Sequence, residues 1–111
     1  MKAAFPRRGE VFWANLDPTV GSEIQKTRPV VVVSNDAINR YRARVVIVPL
    51  TSNVAHCYPG EVIVTVKGKS ARAFGDQVRA IDKARLGKKL DTLVAIEMNQ
   101  VDEALRITLE L

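Results

Sequence analysis

The chain has 111 residues, of which 47% are hydrophobic and 26% charged, with one cysteine and a formal net charge of +5. That length and balance suit a single domain over residues 1–111 and exclude a disordered chain or a disulfide scaffold. The excess of positive charge points toward an acidic partner, most simply nucleic acid.

Reading from the N-terminus, "MKAAFPRRGE" lacks the apolar core of a secretion signal, so a cytoplasmic location is expected. "EVFWANL" (residues 10–16) alternates Val11, Trp13 and Asn15 against Phe12, Ala14 and Leu16, which predicts a strand partly covered on both faces. A polar loop, "DPTVGSEIQKT", leads to a second strand in "PVVVVSN", where stiff branched side chains follow Pro29. "DAINRYRA" reads as a short helix or turn capped by Asn35 or Asp36. "RVVIVPL" is the third strand, and "EVIVTV" and "ARAFGDQVRAI" pair around the glycine of "KGKS". Neither "VVVV" nor "VVIV" approaches the roughly 20 apolar residues of a membrane span, so no membrane partner is expected. Five strands with mostly short links predict a mainly β fold, a small antiparallel barrel carrying short helices. From Leu93 onward, Val94, Met98, Val101, Leu105 and Leu109 recur at helical spacing, capped by Asp91 or Thr92. This amphipathic C-terminal helix should cover one face of the barrel, and a share of it in a dimer contact stays open.

Several chemistries fail on the residues. "GKS" at positions 68–70 ends like a phosphate-binding loop, but Ile63 stands where the earlier glycine is required. His56 and Cys57 are neighbours in an extended segment and point apart, and one of each cannot furnish a zinc set. Metal-free chemistry, with no cofactor, is therefore expected. Arg28 precedes Pro29, which biases it to an extended backbone, and its guanidinium matches a phosphate. Glu23, on the same loop, could accept a proton, although a surface ion pair with Lys26 or Arg28 is the ordinary reading. "PLTSN" ends the third strand with hydroxyls and an amide at Thr51, Ser52 and Asn53, either phosphate partners or a capped turn. If the second and third strands are antiparallel neighbours, Arg28 and Thr51 meet at one rim of the sheet.

The blocks "RGEVFWANLDPTVGSEIQKTRPVVVVSND", "VVIVPLTSN" and "GDQVRAIDKARL" together resemble the signature of the MazF/PemK toxin ribonucleases over nearly the whole chain. The resemblance implies an SH3-like or CcdB-like barrel, a homodimer, a cognate antitoxin and metal-independent, sequence-selective cleavage of single-stranded RNA, chiefly mRNA. It implies catalytic roles for Arg28 and Thr51 and a less uniform one for Glu23, while Asp76 and Gln77 match a "DQ" pair that either shapes the RNA groove or serves only the structure. In the mechanism this suggests, the RNA 2′-hydroxyl attacks the adjacent phosphorus, Arg28 stabilises the developing charge, Thr51 holds a phosphate oxygen and Glu23 is the base. Lys26, Ser52, Asn53, Arg40, Arg42, Arg44, Lys67 and Lys69 are the further candidates for RNA contact, and Arg72 joins the basic residues expected to reach phosphates. The alternatives are a CcdB-like toxin that inhibits a topoisomerase without catalysis, or a barrel that binds nucleic acid without cutting it.

Overall fold

The valine run at 30–33 lies at the centre of the sheet in the computed structural model, which describes residues 4–18, 20–23 and 26–111. Its strand, β2 (Thr27–Val32), runs antiparallel between β1 (Glu10–Asn15) and β3 (Arg44–Thr51). Successive side chains of a strand point to opposite faces. Val31 and Val33 accordingly join Val11, Val48, Leu50 and Val101 in one apolar cluster, whereas Val30 and Val32 join Ala14, Leu16, Val45 and Ile47 in another. An unbroken valine run is what a strand covered on both faces requires.

Helix α1 (Asp36–Tyr41) follows β2, with Asn35 as its cap accepting from the Ile38 amide. Strands β4 (Glu61–Val66) and β5 (Lys69–Phe74) form the expected hairpin, turned at Lys67 and Gly68 with φ of 50° and 75°. Two consecutive positive φ angles match the right-handed twist of a hairpin, and Gly68 adopts its angle at no steric cost.

The sequence expectation of one strand through "ARAFGDQVRAI" is corrected by a 3₁₀ turn at Gly75–Gln77, after which the chain continues as β6 (Arg79–Asp82). The cause is a close backbone crossing. Gly75 donates to the Gly60 carbonyl at 3.0 Å, and a Cβ on Gly75 would stand 2.3 Å from that oxygen. The corner lets β3 pair with β5 through Leu50 and Thr51 and with β6 through Arg44 to Ile47. The sheet therefore curls, in the order β4–β5–β3–β2–β1–β7 with β6 also on β3.

A second correction is β7 (Leu86–Thr92), which makes seven strands among the described residues and pairs with β1. Its "LGKKLDT" has no clear alternation because it is an edge strand, and its lysines suit an exposed edge. Helix α2 (Ala95–Leu109) starts later than expected, with Val94 as cap and no capping side chain. Asp91 is occupied elsewhere, accepting from the amides of Lys67 and Thr92. Met98, Val101 and Leu105 face the core, whereas Val94 and Leu109 are exposed.

Candidate active site

Two prolines mark where the sheet stops and a site can begin. The β2–β3 ladder ends at Val30 opposite Pro49, and Pro29 precedes Val30. Val33 donates to Val46 across this pair, so alternate residues of β2 face β3 and Pro29 is the next in line; having no N–H, it donates nothing at that rung. Carried two residues further, the same register brings Arg28 of β2 level with Thr51 of β3. Arg28 also pairs with Ala14 of β1, and Thr51 with Arg72 of β5. Backbone partners on both outer sides thus hold the two at one end of the sheet.

The expected site residues fall into three groups. Beside Thr51, a cavity of about 290 Å³ is lined by Trp13, Pro29, Leu50, Ser52, Lys67 and Lys69, among others. Lys67 and Lys69 flank Gly68 in the β4–β5 turn, which is fixed by the bond from the Lys67 amide to Asp91, 2.7 Å long. That bond, together with the one from the Thr92 amide, holds the Asp91 carboxyl below its ordinary value, because both favour the ionised form. Asn53 lies in the exposed loop beyond Ser52, with its side chain accepting from the Ala55 amide.

The second group gathers around the β1–β2 loop, of which Thr19, Ile24 and Gln25 lie outside the described residues. Glu23, Asp76, Gln77 and Arg79 line a smaller hollow of about 170 Å³. Glu23 accepts from the Val20 amide at 2.6 Å, a contact that shapes its own loop. Lys26 takes a positive φ of 68°; its amide donates to the Asp17 carboxylate and its carbonyl accepts from the Leu16 amide. These bonds close the stem of the loop.

Arg40, Arg42 and Arg44 form the third group, at the opposite end of β3 from Thr51. Arg44 begins that eight-residue strand and Thr51 ends it, a separation of about 23 Å at 3.3 Å per residue. Arg40 instead lies over the rings of Tyr41 and Phe5. Arg72 is drawn inward as well. It donates to the His56 carbonyl at 2.5 Å, approaches Glu61 at 3.6 Å and lies over the Phe74 ring. It anchors the β3–β4 loop and is poorly placed to reach out to phosphates.

Two features escaped sequence reasoning. Trp13 read as an ordinary strand residue, yet it is 39% exposed over the cavity. Arg85, inside the third signature block, was given no role of its own, yet it donates to the carbonyls of Asn15 and Asp17 across the stem of the β1–β2 loop. Among the described residues, no group of three His, Cys, Asp or Glu side chains is placed to hold a metal ion.

Comparison with known proteins agrees with this architecture. A family model described as PemK-like, MazF-like toxin of type II toxin–antitoxin system matches residues 7–109. Endoribonuclease MazF9 of Mycobacterium tuberculosis is 40% identical over 114 residues, covering 95% of this chain and 97% of that protein. Endoribonuclease EndoA of Bacillus subtilis is 36% identical over 110 residues, covering 95% of each. Among solved structures, MazF of Deinococcus radiodurans superposes with a TM-score of 0.87 at 28% identity, covering 98% of this chain and all of that one. An endoribonuclease in complex with its cognate antitoxin, from a mycobacterial species, superposes with a TM-score of 0.80 at 29% identity, covering 96% of each chain. The chain belongs to the PemK-like, MazF-like toxins of type II toxin–antitoxin systems.

Proposed function

We propose that this endoribonuclease toxin cuts single-stranded RNA at short sequences by attack of the substrate's own 2′-hydroxyl, without a metal ion. The observation that carries the reading is that Arg28 lies two residues before, and Thr51 two residues beyond, the last pair of the β2–β3 ladder, Val30 with Pro49. In the reaction, the 2′-oxygen bonds to the adjacent phosphorus and the bond from phosphorus to the 5′-oxygen breaks. A 2′,3′-cyclic phosphate and a 5′-hydroxyl result. The 2′-hydroxyl proton passes to a base, with Glu23 the candidate, and the leaving oxygen gains a proton. Arg28, permanently charged, stabilises the charge that builds on the phosphate oxygens. Thr51 donates a hydrogen bond to one of those oxygens and fixes the phosphorus.

In this reading the RNA backbone enters over Lys67, Lys69 and Ser52, which line the cavity beside Thr51, and Asp76 and Gln77 of the smaller hollow, with Lys26 at the stem of the loop, shape its further path. Arg40, Arg42 and Arg44 meet RNA only if the strand continues along the length of β3. A requirement for single strands follows from the same geometry, since unpaired bases expose the edges that loop side chains can read. A non-catalytic topoisomerase inhibitor is not favoured, given the endoribonucleases to which the chain is similar over nearly its full length.

The partners we assign are a cognate antitoxin, as in the mycobacterial complex, and a second copy of the chain. Exposed Ile96, Ile107 and Leu109 of α2 support a contact between copies. Among the described residues no helix is long and apolar enough to cross a membrane. The cytoplasm is assigned as the site of action because the proposed substrate, mRNA, is found there. The test is incubation of the purified protein with a long RNA in excess EDTA, followed by mapping of the new 5′ ends. Cuts at a recurring short sequence are expected. Cutting that needs added metal ends the mechanism, and an RNA left intact under all conditions ends the function.

A further inference from the structure

We propose that the cavity beside Thr51 seats one base of the RNA, stacked on Trp13, in the nucleotide adjoining the phosphate to be cut. This rests on the function proposed above and extends it from the reacting phosphate to a site that holds a neighbouring base.

Position is the first support. Trp13 pairs across β1 and β2 with Pro29, the residue after Arg28, and Leu50 precedes Thr51 on the neighbouring strand. Thr51 itself lines the cavity. A group bound there is therefore within one nucleotide of any phosphate that Thr51 and Arg28 hold.

Chemistry is the second. Pro29, Leu50, Val66, Ala71 and Leu90 make the lining largely apolar, and at about 290 Å³ the space is at the small end of ligand pockets. Trp13 lines the hollow and 39% of its whole surface is exposed, while Ala14 beside it is buried. An indole left open on an apolar hollow is the surface on which bases stack. Ser52 and Ser70 also line it, giving hydroxyls that can bond to a base edge.

Charge decides between a base and an apolar side chain of a protein partner. Lys67 and Lys69 line the same hollow on a turn made rigid by the Asp91 bond, so phosphates on either side of the base meet fixed cations. An acidic peptide would satisfy the lysines, but it would leave the shared position of Thr51 without a reason.

Trp13 is the only tryptophan in the chain, so its fluorescence reports on this cavity alone. Once the cleavage sequence is mapped, the probe is single-stranded DNA of that sequence, which lacks the attacking hydroxyl. Its binding is expected to quench Trp13 saturably. Anisotropy of the same labelled DNA then gives affinities for wild type, Trp13→Phe and Trp13→Ala, with abasic sites introduced one at a time. One abasic position next to the scissile phosphate should weaken wild-type binding about 5- to 150-fold, the range for loss of one stacked base. That position should matter little to Trp13→Ala, while Trp13→Phe binds nearly as wild type does. Binding that leaves Trp13 emission unchanged overturns the inference, as does an abasic penalty equal in wild type and Trp13→Ala. If RNA is cut and either result is found, only the base site falls; if wild-type protein cuts no RNA, both readings fall.

Discussion

Arg85 and Asp17 are joined across the molecule: the guanidinium of Arg85, in the 3₁₀ turn just before β7, donates to the backbone carbonyl of Asp17 and, at 3.1 Å, to that of Asn15. Arg79 reaches the intervening Leu16 carbonyl at 3.5 Å. Three consecutive carbonyls at the exit of β1 are thus held by arginines distant in sequence. The loop that starts there carries Glu23, so its aim depends on arginines from a distant part of the chain.

Arg85→Ala should therefore slow cleavage while leaving affinity for an uncleavable DNA analogue nearly unchanged. Small misplacements of reacting groups cost up to about 100-fold in rate, and a loss between several-fold and that limit is expected. Arg85→Lys should recover part of it. The check is single-turnover cleavage beside binding; equal losses in both would mean that Arg85 serves binding or general stability instead.

Arg28→Ala should lose about 10²–10³ in rate, the usual cost of removing one donor to a developing oxyanion. Lysine should rescue poorly, because it keeps the charge without the planar fork. Thr51→Ala should lose less. Glu23→Gln distinguishes a base from a loop-ordering residue: a base predicts a large loss with an altered pH profile, while the bond to the Val20 amide alone predicts a mild one. Thermal melts of each variant separate lost chemistry from unfolding.

Gly75→Ala should destabilise the fold by about 1–3 kcal/mol, the range for forcing an extra carbon into a packed site. The new Cβ would meet the Gly60 carbonyl, which is backbone and cannot swing away. Urea denaturation gives the answer directly, and an unchanged midpoint would show that the corner yields.

Asp36 offers a test in acid. The Arg8 amide donates to its carboxylate and Asn39 adds a second bond, which hold its carboxyl below the ordinary value of about 3.9. A lowered folded value stabilises the protein above the unfolded value and loses that contribution as pH falls through the folded one. The melting temperature of Asp36→Ala should lie below that of wild type at neutral pH. The gap should close as pH drops below about 4, and a gap that stays constant would assign Asp36 a purely steric role.

Local patterns were legible where the physics is local. The valines of β2, the cap at Asn35 and the turn around Gly68 follow from rotamers, hydrogen bonding and backbone freedom within a few residues. That β2 and β3 are antiparallel neighbours was legible too, which sets Arg28 just before the last pair of their ladder and Thr51 just after it. The edge strand β7 was not, since its lysines and glycine erase alternation. Nor was the break at Gly75, which arises from a crossing with Gly60, fifteen residues earlier and on another segment. The distance of Arg40, Arg42 and Arg44 from Thr51 depends on the length and direction of β3, which composition alone does not supply.

The enclosure of β2 also sets how the molecule opens. Val30, Val31 and Val32 have no exposed surface, apolar clusters on both faces and strands on both edges. Their amides can meet solvent only when the sheet comes apart, so their hydrogen exchange should proceed at the rate of global unfolding. The loop at residues 52–59 is exposed throughout and should exchange within the earliest measurable times. Arg28 hangs from the slowest-exchanging strand and Ser52 begins the fastest segment, so on the mechanism proposed here the phosphate would be held from the most persistent part of the protein, next to its most changeable loop.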